Sequence, residues 1–234
     1  MPASRLRTNV SERIPKFSVV GKYPADTGTL FVQHVALLRA DAEIRYATPD
    51  VQVWHMGPPL VAGPLSSIAA RREVSCTIHL AGTVELDAQD IEGIETWLAE
   101  ADKENRPTGA FGDLQQYIVH PPVHWVRAEN GIRLYRKFSC AGFVMECYRS
   151  VDINLIDDSN VESLPEIDLE TVAHAYGDTV RREKIRERFG IPDTGPWRIV
   201  LAGYIMHALD RPDAAIRNSP HMPKSVAEKD FPLR

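Results

Sequence analysis

The feature that most constrains the fold is a segment in which a strand-like pattern gives way to a helical one at Cys140. Before this point, residues 124–138 form two alternating runs separated by Asn130-Gly131, a dipeptide favoured in type I′ turns, which predicts a β-hairpin. After it, residues 139–150 carry apolar side chains at helical spacing. A hairpin that leads directly into an amphipathic helix requires a mixed fold, in which the helix packs on a sheet.

The predicted helix has one continuous apolar face. Its members are Cys140, Phe143, Val144, Cys147 and Tyr148. Ser139 is the expected N-cap, which places Cys140 in the first turn. There the helix dipole and the exposed backbone N–H groups would lower the pKa of the thiol toward the nucleophilic thiolate. Cysteine is also among the most buried residue types, so two interpretations stay open: a catalytic nucleophile, or a small residue that fills the core.

A nucleophilic cysteine requires a base, and two histidines have the pattern of a base and its orienting partner. His34 alternates in step with Val32 and Ala36, so it is expected to point to the apolar side of its strand. His55 alternates in step with Val53 in the same way. A single inward histidine is normally a hydrogen-bonded core residue. Two on neighbouring strands indicate a site, because each needs a polar partner when buried.

Three motifs resemble the NlpC-type papain-like superfamily. HVALL at 34–38 looks like the strand signature "HVGIY" of that superfamily, and SCAGFVMECY at 139–148 looks like its nucleophile helix, "DCSGFVxxxY". VWHMGPP at 53–59 is similar to a third segment, "VVHLAPP". The order, with histidine before cysteine, is that of the circularly permuted branch, which includes lecithin:retinol acyltransferase-like and HRAS-like acyltransferase proteins. The resemblance covers about residues 28–150.

The resemblance implies an α+β fold: a papain-like core with an antiparallel sheet and a nucleophile-bearing helix. It implies a cysteine-dependent hydrolase or acyltransferase, acting on an amide or ester bond through an acyl-thioester intermediate. Cys140 would be the nucleophile, His34 the general base and His55 the orienting residue. Because His34 and His55 are further apart in sequence than one tight hairpin allows, His79 is a second candidate for the third role. The substrate would be a peptide, an isopeptide or an acyl lipid.

The alternative to an enzyme is a catalytically inactive papain-like module that binds or regulates a partner. In either case the chain is expected to have three parts: a loose N-terminal segment (1–15), the permuted core (16–156), and a helical C-terminal extension with a Pro-rich tail (157–234). The extension contains a predicted amphipathic helix from Trp197 to Ala208, which packs inward and offers a possible protein-binding surface.

Between these motifs the patterns predict three further elements. Residues 42–47 form a partner strand between the two histidine strands, 72–86 form a long strand bent at Gly82, and 87–104 form a helix capped by Asp87 or Asp90. The expected order of strands, helix, hairpin and helices is that of an α+β protein.

Composition limits which binding partners and which cellular compartment are expected. A net charge of −5 over 234 residues gives no reason to expect nucleic acid. An odd number of irregularly spaced cysteines favours a reducing compartment. We see no secretory signal and no apolar run long enough for a transmembrane anchor. The expected location is therefore cytoplasmic, unless a signal-peptide-independent route delivers the protein.

No cofactor or metal is expected. Phosphate-binding loops of the GxxxxGK[ST] and GxGxxG types are absent from the sequence. Four residues imitate a zinc set: Cys76, His79, His120 and His124. However, two residues three apart on a strand face opposite sides, and the prolines between His120 and His124 exclude a helix.

Overall fold

The computed structural model describes residues 7–8, 13–24, 31–43, 51–56, 60–65, 77–104, 117–119, 122–176, 178–183, 186, 190–191 and 195–230. Within these ranges the strands are β1 (Arg7–Thr8), β2 (Arg13–Ile14), β3 (Val19–Pro24), β4 (His34–Leu38), β5 (Ala42–Glu43), β6 (Gln52–Met56), β7 (Leu60–Pro64), β8 (Thr77–Gly82), β9 (Val123–Arg127), β10 (Arg133–Phe138), β11 (Glu166–Ile167) and β12 (Trp197–Arg198). The helices are α1 (Ala88–Lys103), α2 (Cys140–Arg149), α3 (Leu169–Tyr176), α4 (Ala202–Leu209) and α5 (Asp213–Asn218). The predicted α+β class is confirmed.

A six-stranded antiparallel sheet is the centre of the fold, in the order β1-β8-β3-β4-β6-β7. Three two-stranded sheets accompany it: β9 with β10, β11 with β12, and β2 with β5. The strand that begins with His34 therefore lies between β3 and the strand that carries His55.

Both faces of the central sheet are buried. One face contributes Val19, Val35, Leu37 and Met56 to a large core that also contains the apolar residues of α1, α2 and α4. The opposite face contributes Val20, Ala36, Leu38 and Val53 to a second, smaller cluster, which Ile14 of the short β2 strand completes. Alternation along β4 thus sends successive side chains into two separate apolar layers.

Helix α2 lies in the large core, across β4 and β6. Ser139 is its N-cap, as predicted: the Ser139 hydroxyl accepts a hydrogen bond of 2.8 Å from the N–H of Gly142. Eight of the ten residues of α2 are buried, so the helix is enclosed on nearly all sides rather than along one face only. At its far end the Tyr148 hydroxyl donates to the carbonyl of Phe17 at 2.8 Å, which joins the helix to the residues before β3.

The elements on either side of α2 agree with the local sequence signals. Asp87 caps α1 through a reciprocal pair of hydrogen bonds with Asp90, as the sequence predicts. The hairpin of β9 and β10 is also present, but its turn is not the two-residue type I′ turn. The loop runs over 128–132, with the Gly131 N–H bonded to the carbonyl of Ala128 and Gly131 at φ +80°. This is a longer turn closed by a left-handed glycine.

Three expectations for the first half of the chain need correction. Parts of the segment predicted to be loose form strands instead: β1 pairs with β8, and β2 pairs with β5. Of the strand predicted at 42–47 the structure describes Ala42 and Glu43, and these residues pair with β2. The long strand predicted at 72–86 covers only Thr77–Gly82 among its described residues. Its pairing with β3 ends at Gly82, the residue at which a bend was expected.

The C-terminal part also differs from the prediction. The apolar run from Trp197 begins as the short strand β12, and the helix starts only at Ala202, with Leu201 as its N-cap. The predicted Pro-rich tail contains α5 and a turn of 3-10 helix at Val226–Lys229. The five residues expected to pack inward do so. They are Trp197, Val200, Leu201, Tyr204 and Ile205.

We expect Leu201→Ala to lower the free energy of unfolding by about 2–5 kcal/mol, because Leu201 is 1% exposed and its truncation leaves a cavity in the large core. Urea denaturation of the variant and the parent protein measures this difference. Leu134→Ala is a matched control, because Leu134 is 39% exposed and its truncation should change stability by less than about 0.5 kcal/mol. An unchanged midpoint for Leu201→Ala would show that α4 is peripheral.

Candidate active site

The two histidines predicted to form a site are brought together. Leu38 of β4 pairs directly with Val53 of β6, so His34 and His55 lie on the same face of the sheet by alternation. Their rings meet edge to face, with 5.4 Å between centroids and 79° between planes. His55 is 7% exposed, and burial lowers the pKa of its imidazole. A neutral imidazole at this position suits an orienting partner better than a cation.

His79, the second candidate for the orienting role, occupies a different position in the sheet. It pairs with Lys22 of β3, and Lys22 in turn pairs with His34. His79 is therefore two strands away from His34, roughly 10 Å along the hydrogen-bonding direction of the sheet. The geometry favours His55 for the third role.

The Cys140 sulfur lies beside the backbone of the histidine strand. Backbone N–H groups of Val35, Ala141 and Cys140 itself are directed at the sulfur. Val35 immediately follows His34, so the first turn of α2 meets β4 at the end where the histidine is located. The first turn is also closely packed, because a Cβ on Gly142 would lie 2.4 Å from the carbonyl oxygen of Pro122. The helix N-terminus and Pro122, the residue before β9, therefore leave no room for a side chain at position 142.

The expected lowering of the Cys140 pKa is not found. Cys140 is 3% exposed, and burial raises the pKa of the thiol by more than the three N–H groups lower it. The prediction from the helix N-terminus was wrong in sign because it considered only local dipoles, whereas the desolvation cost of a thiolate depends on the whole core around it.

The helix and the two imidazoles approach the sheet from different faces. Cys140 belongs to the large core with Val35 and Leu37, whereas His34 follows the opposite face with Ala36. Among the described residues, the pairing of β4 with β6 covers Leu37 and Leu38 on the β4 side. A thiol and an imidazole on opposite faces of the sheet can meet only around the end of β4, where His34 is located.

No group of three histidine, cysteine, aspartate or glutamate residues placed to hold a metal occurs among the residues that the structure describes. Of the four residues that imitate a zinc set, Cys76 and His120 lie outside the part of the chain that the structure describes.

The structure does reveal an ionisable cluster that the sequence did not indicate: His207 and His221 stack, and His221 contacts Glu228. His221 and Glu228 showed no local pattern, because turns that follow α5 bring them together.

No family model, curated protein or solved structure matches this chain. In the part of the chain that the structure describes, no helix combines the length and the apolar character needed to cross a membrane.

Proposed function

We propose that this protein is a cysteine-dependent hydrolase or acyltransferase that acts on an amide or ester bond, with Cys140 as nucleophile, His34 as general base and His55 as the orienting residue. The observation that carries the proposal is the approach of the Cys140 sulfur to the backbone N–H of Val35, the residue after His34. The papain-like frame suggested by the three motifs is part of the same proposal. So are a peptide, isopeptide or acyl-lipid substrate and a cytoplasmic location.

In the proposed reaction His34 takes the thiol proton as the Cys140 sulfur attacks the carbonyl carbon of the substrate. The carbonyl oxygen becomes an oxyanion, which the N–H groups around the sulfur stabilise. The protonated His34 then gives its proton to the leaving amine or alcohol, and an acyl-thioester remains on Cys140. Water or another acceptor, deprotonated by His34, attacks the thioester. The thiol returns as sulfur takes the proton back.

The raised pKa of Cys140 defines when this chemistry can start. A neutral buried thiol is a weak nucleophile, so His34 has to take its proton as the sulfur attacks.

The same burial favours a second candidate, a catalytically inactive papain-like binding or regulatory module. In that case Cys140 only fills the core, as Cys147 does two turns further along the same face of α2. Burial raises the pKa of the Cys147 thiol as well, and Cys147 is fully buried. The two candidates differ in whether the reactivity of Cys140 depends on His34.

A thiol-labelling experiment separates the two candidates. In a Cys76→Ala background, we expect iodoacetamide or an acyl-directed thiol probe to label Cys140 in preference to Cys147, with a rate below pH 8 that depends on His34. His34→Ala should then remove the labelling at low pH and leave only the rise at high pH that an isolated thiol shows. If His34→Ala leaves the labelling rate at Cys140 untouched from pH 5 to 9, the pair is not coupled and the inactive module is the better description.

A further inference from the structure

The hairpin of β9 and β10 is fastened to α1 by Arg136. The backbone N–H of Arg136 donates to a carboxylate oxygen of Glu104 at 2.7 Å, and its guanidinium forms an ion pair with the same carboxylate. The two side chains are only 11% and 13% exposed. The guanidinium also lies 4.9 Å from the ring of Trp97 and 5.3 Å from the ring of Trp125. The hairpin is therefore a fixed arm of the molecule.

The end of this arm, here called the hairpin tip (residues 127–134), is closed by its own hydrogen bonds. The N–H of Ala128 donates to the carbonyl of Ile132 at 2.8 Å, and the N–H of Gly131 donates to the carbonyl of Ala128 at 2.9 Å. The guanidinium of Arg127 donates to the carbonyl of Gly131 at 3.1 Å. A tip that is already ordered presents its side chains at a low entropic cost of binding.

Two arginines of the hairpin tip are placed directly opposite each other. Arg127 of β9 and Arg133 of β10 are partners in the register, and both are exposed. Like charges directly opposite each other destabilise a pair of strands. Among the residues that the structure describes, no carboxylate forms an ion pair with either guanidinium: Arg127 donates to a carbonyl, and Arg133 lies 4.9 Å from the ring of Trp125. The folded chain thus keeps two positive charges together here, and a bound anion would compensate them.

The hairpin is basic although the protein as a whole is acidic. Residues 123–138 contain four basic side chains and one acidic side chain, Glu129. One of the four, Arg136, is neutralised by Glu104. The hairpin therefore has three basic side chains against one acidic side chain, in a chain of net charge −5. At close range this local charge, rather than the average over the chain, decides which partner is attracted.

The hairpin tip also exposes aliphatic side chains. Ile132 is 60% exposed and Leu134 is 39% exposed, and Met222 is the third exposed large apolar side chain of the described residues. Trp125 is half-buried and lies two residues behind the tip arginine of its strand. The hairpin tip thus combines aliphatic side chains and arginines, with an indole ring next to them.

We propose that the hairpin tip is a docking surface for an anionic lipid bilayer. In the docked protein Ile132 and Leu134 enter the boundary between headgroups and acyl chains, and Arg127 and Arg133 bind lipid phosphates. Trp125 lies at the depth of the headgroups, where indole rings are favoured. The docking goes beyond the proposed function and uses none of the proposed catalytic residues.

Two other anionic partners fit the hairpin tip less well. Proteins bind single-stranded nucleic acid through exposed aromatic rings on which the bases stack. Here the ring of Trp125 is half-buried and is in contact with the guanidiniums of Arg133 and Arg136. A specific acidic protein requires an interface of about 800 Å² on each partner, and two aliphatic side chains provide only a small part of that area. A bilayer requires only a shallow insertion together with basic side chains.

Co-sedimentation of the full chain with vesicles tests the docking surface. We expect binding to vesicles of equal parts phosphatidylcholine and phosphatidylserine, weaker binding to phosphatidylcholine alone, and a smaller difference when the salt concentration is raised. Arg127→Gln and Arg133→Gln should each weaken binding to the anionic vesicles about fivefold, the contribution of one basic residue near such a surface. Ile132→Ala should weaken it at least about tenfold, because three carbons of the inserted side chain are removed.

Two variants with the same chemistry elsewhere are the matched controls. Arg182→Gln removes an exposed charge and Met222→Ala removes an exposed apolar side chain, and neither residue is on the hairpin. Both variants should bind the anionic vesicles as the parent protein does. The proposed function is decided separately by the labelling of Cys140, which needs no vesicles, so docking and catalysis can each fail without the other.

The docking surface would be overturned by a parent protein that binds neither kind of vesicle, or by Arg127→Gln and Ile132→Ala variants that bind as the parent does. Binding that Ile132→Ala leaves unchanged and that a single-stranded oligonucleotide displaces would also overturn it, in favour of a nucleic acid ligand. Circular dichroism checks that each variant is folded. If Ile132→Ala does not fold, Leu134→Ala tests the same aliphatic contribution.

Discussion

Cys140→Ala and His34→Ala are each expected to abolish turnover, and the double variant is expected to be hardly worse than either single one. Nucleophile and base act as one unit in the proposed reaction, so removal of either removes the same step. For His34→Ala the loss should be at least about 100-fold, the usual contribution of a positioned acid–base group. His55→Ala should be milder, because His55 touches the base rather than the substrate.

The assay requires a panel of acyl esters, γ-linked peptides and isopeptides, with steady-state rates for each variant. Cys147→Ala is the matched control: it removes a buried thiol from the same helix but leaves the proposed nucleophile in place, so the folded variant should keep its rate. Cys140→Ser should lose activity with little change in stability, because an alcohol is poorly activated in a site suited to a thiol. Losses for Cys140→Ala and His34→Ala that multiply in the double variant would show that the two residues act independently.

Phe143→Ala is expected to have the largest effect on stability, about 3–5 kcal/mol. Phe143 is fully buried and its ring lies 5.7 Å from that of Trp97 and 6.2 Å from that of Phe138, between centroids. It therefore joins α1, the hairpin and α2 in one aromatic cluster, and truncation removes aromatic contacts as well as apolar area. Chemical denaturation of the parent protein and the variant measures the change.

Ile132→Ala serves as the control for Phe143→Ala, because Ile132 is 60% exposed at the tip of the hairpin and should cost less than about 0.5 kcal/mol. Phe143→Leu should recover part of the loss, since it restores most of the buried volume. A loss below about 1 kcal/mol for Phe143→Ala would mean that the aromatic cluster collapses around the cavity, and that α2 is held mainly by its contacts with the sheet.

The elements that sequence predicted well are those specified by adjacent residues. The N-cap of α1 at Asp87, one of the two predicted caps, the N-cap of α2 at Ser139 and the periodic apolar residues of both helices are local signals, and each produced the expected structure. The hairpin follows for the same reason, although its turn is longer than Asn130-Gly131 alone indicates. A cap or a turn depends on four or five residues, so no distant contact is needed to recognise it.

Pairings between distant segments could not be predicted in this way. The partner of β5 is β2, and the partner of Phe31 is Asp230, because the sheet and core select these contacts among many strands of similar composition. Alternation correctly placed His34 and His55 on one face. It could not predict which face α2 covers, because both faces of the sheet are apolar and a period of two identifies a face only when the other is polar.

The pKa of Cys140 likewise depends on local signals, which the sequence shows, and on distant contacts, which it does not. The sequence predicts the helix terminus and hence the local dipole, and both are present. The pKa also depends on how completely the sulfur is removed from water, and that depends on side chains from several distant elements. Burial was underestimated because the sequence pattern showed one apolar face on α2, whereas the structure encloses almost the whole helix.

The contacts of Lys229 and Asp230 with the chain just before β4 have a consequence for the order in which the molecule assembles. The residues that pair with Phe31 and Val32 are among the last of the described chain, almost its whole length away in sequence. A nascent chain that has emerged only as far as α4 already contains both His34 and Cys140. Phe31 and Val32, just before the histidine strand, still lack their pairing partners. Contacts of such long sequence separation form late, because the entropy of closing the loop has to be met first. During synthesis on the ribosome the proposed site would therefore stay incomplete until the final segment emerges, which delays any reactivity of the thiol until the rest of the protein has folded.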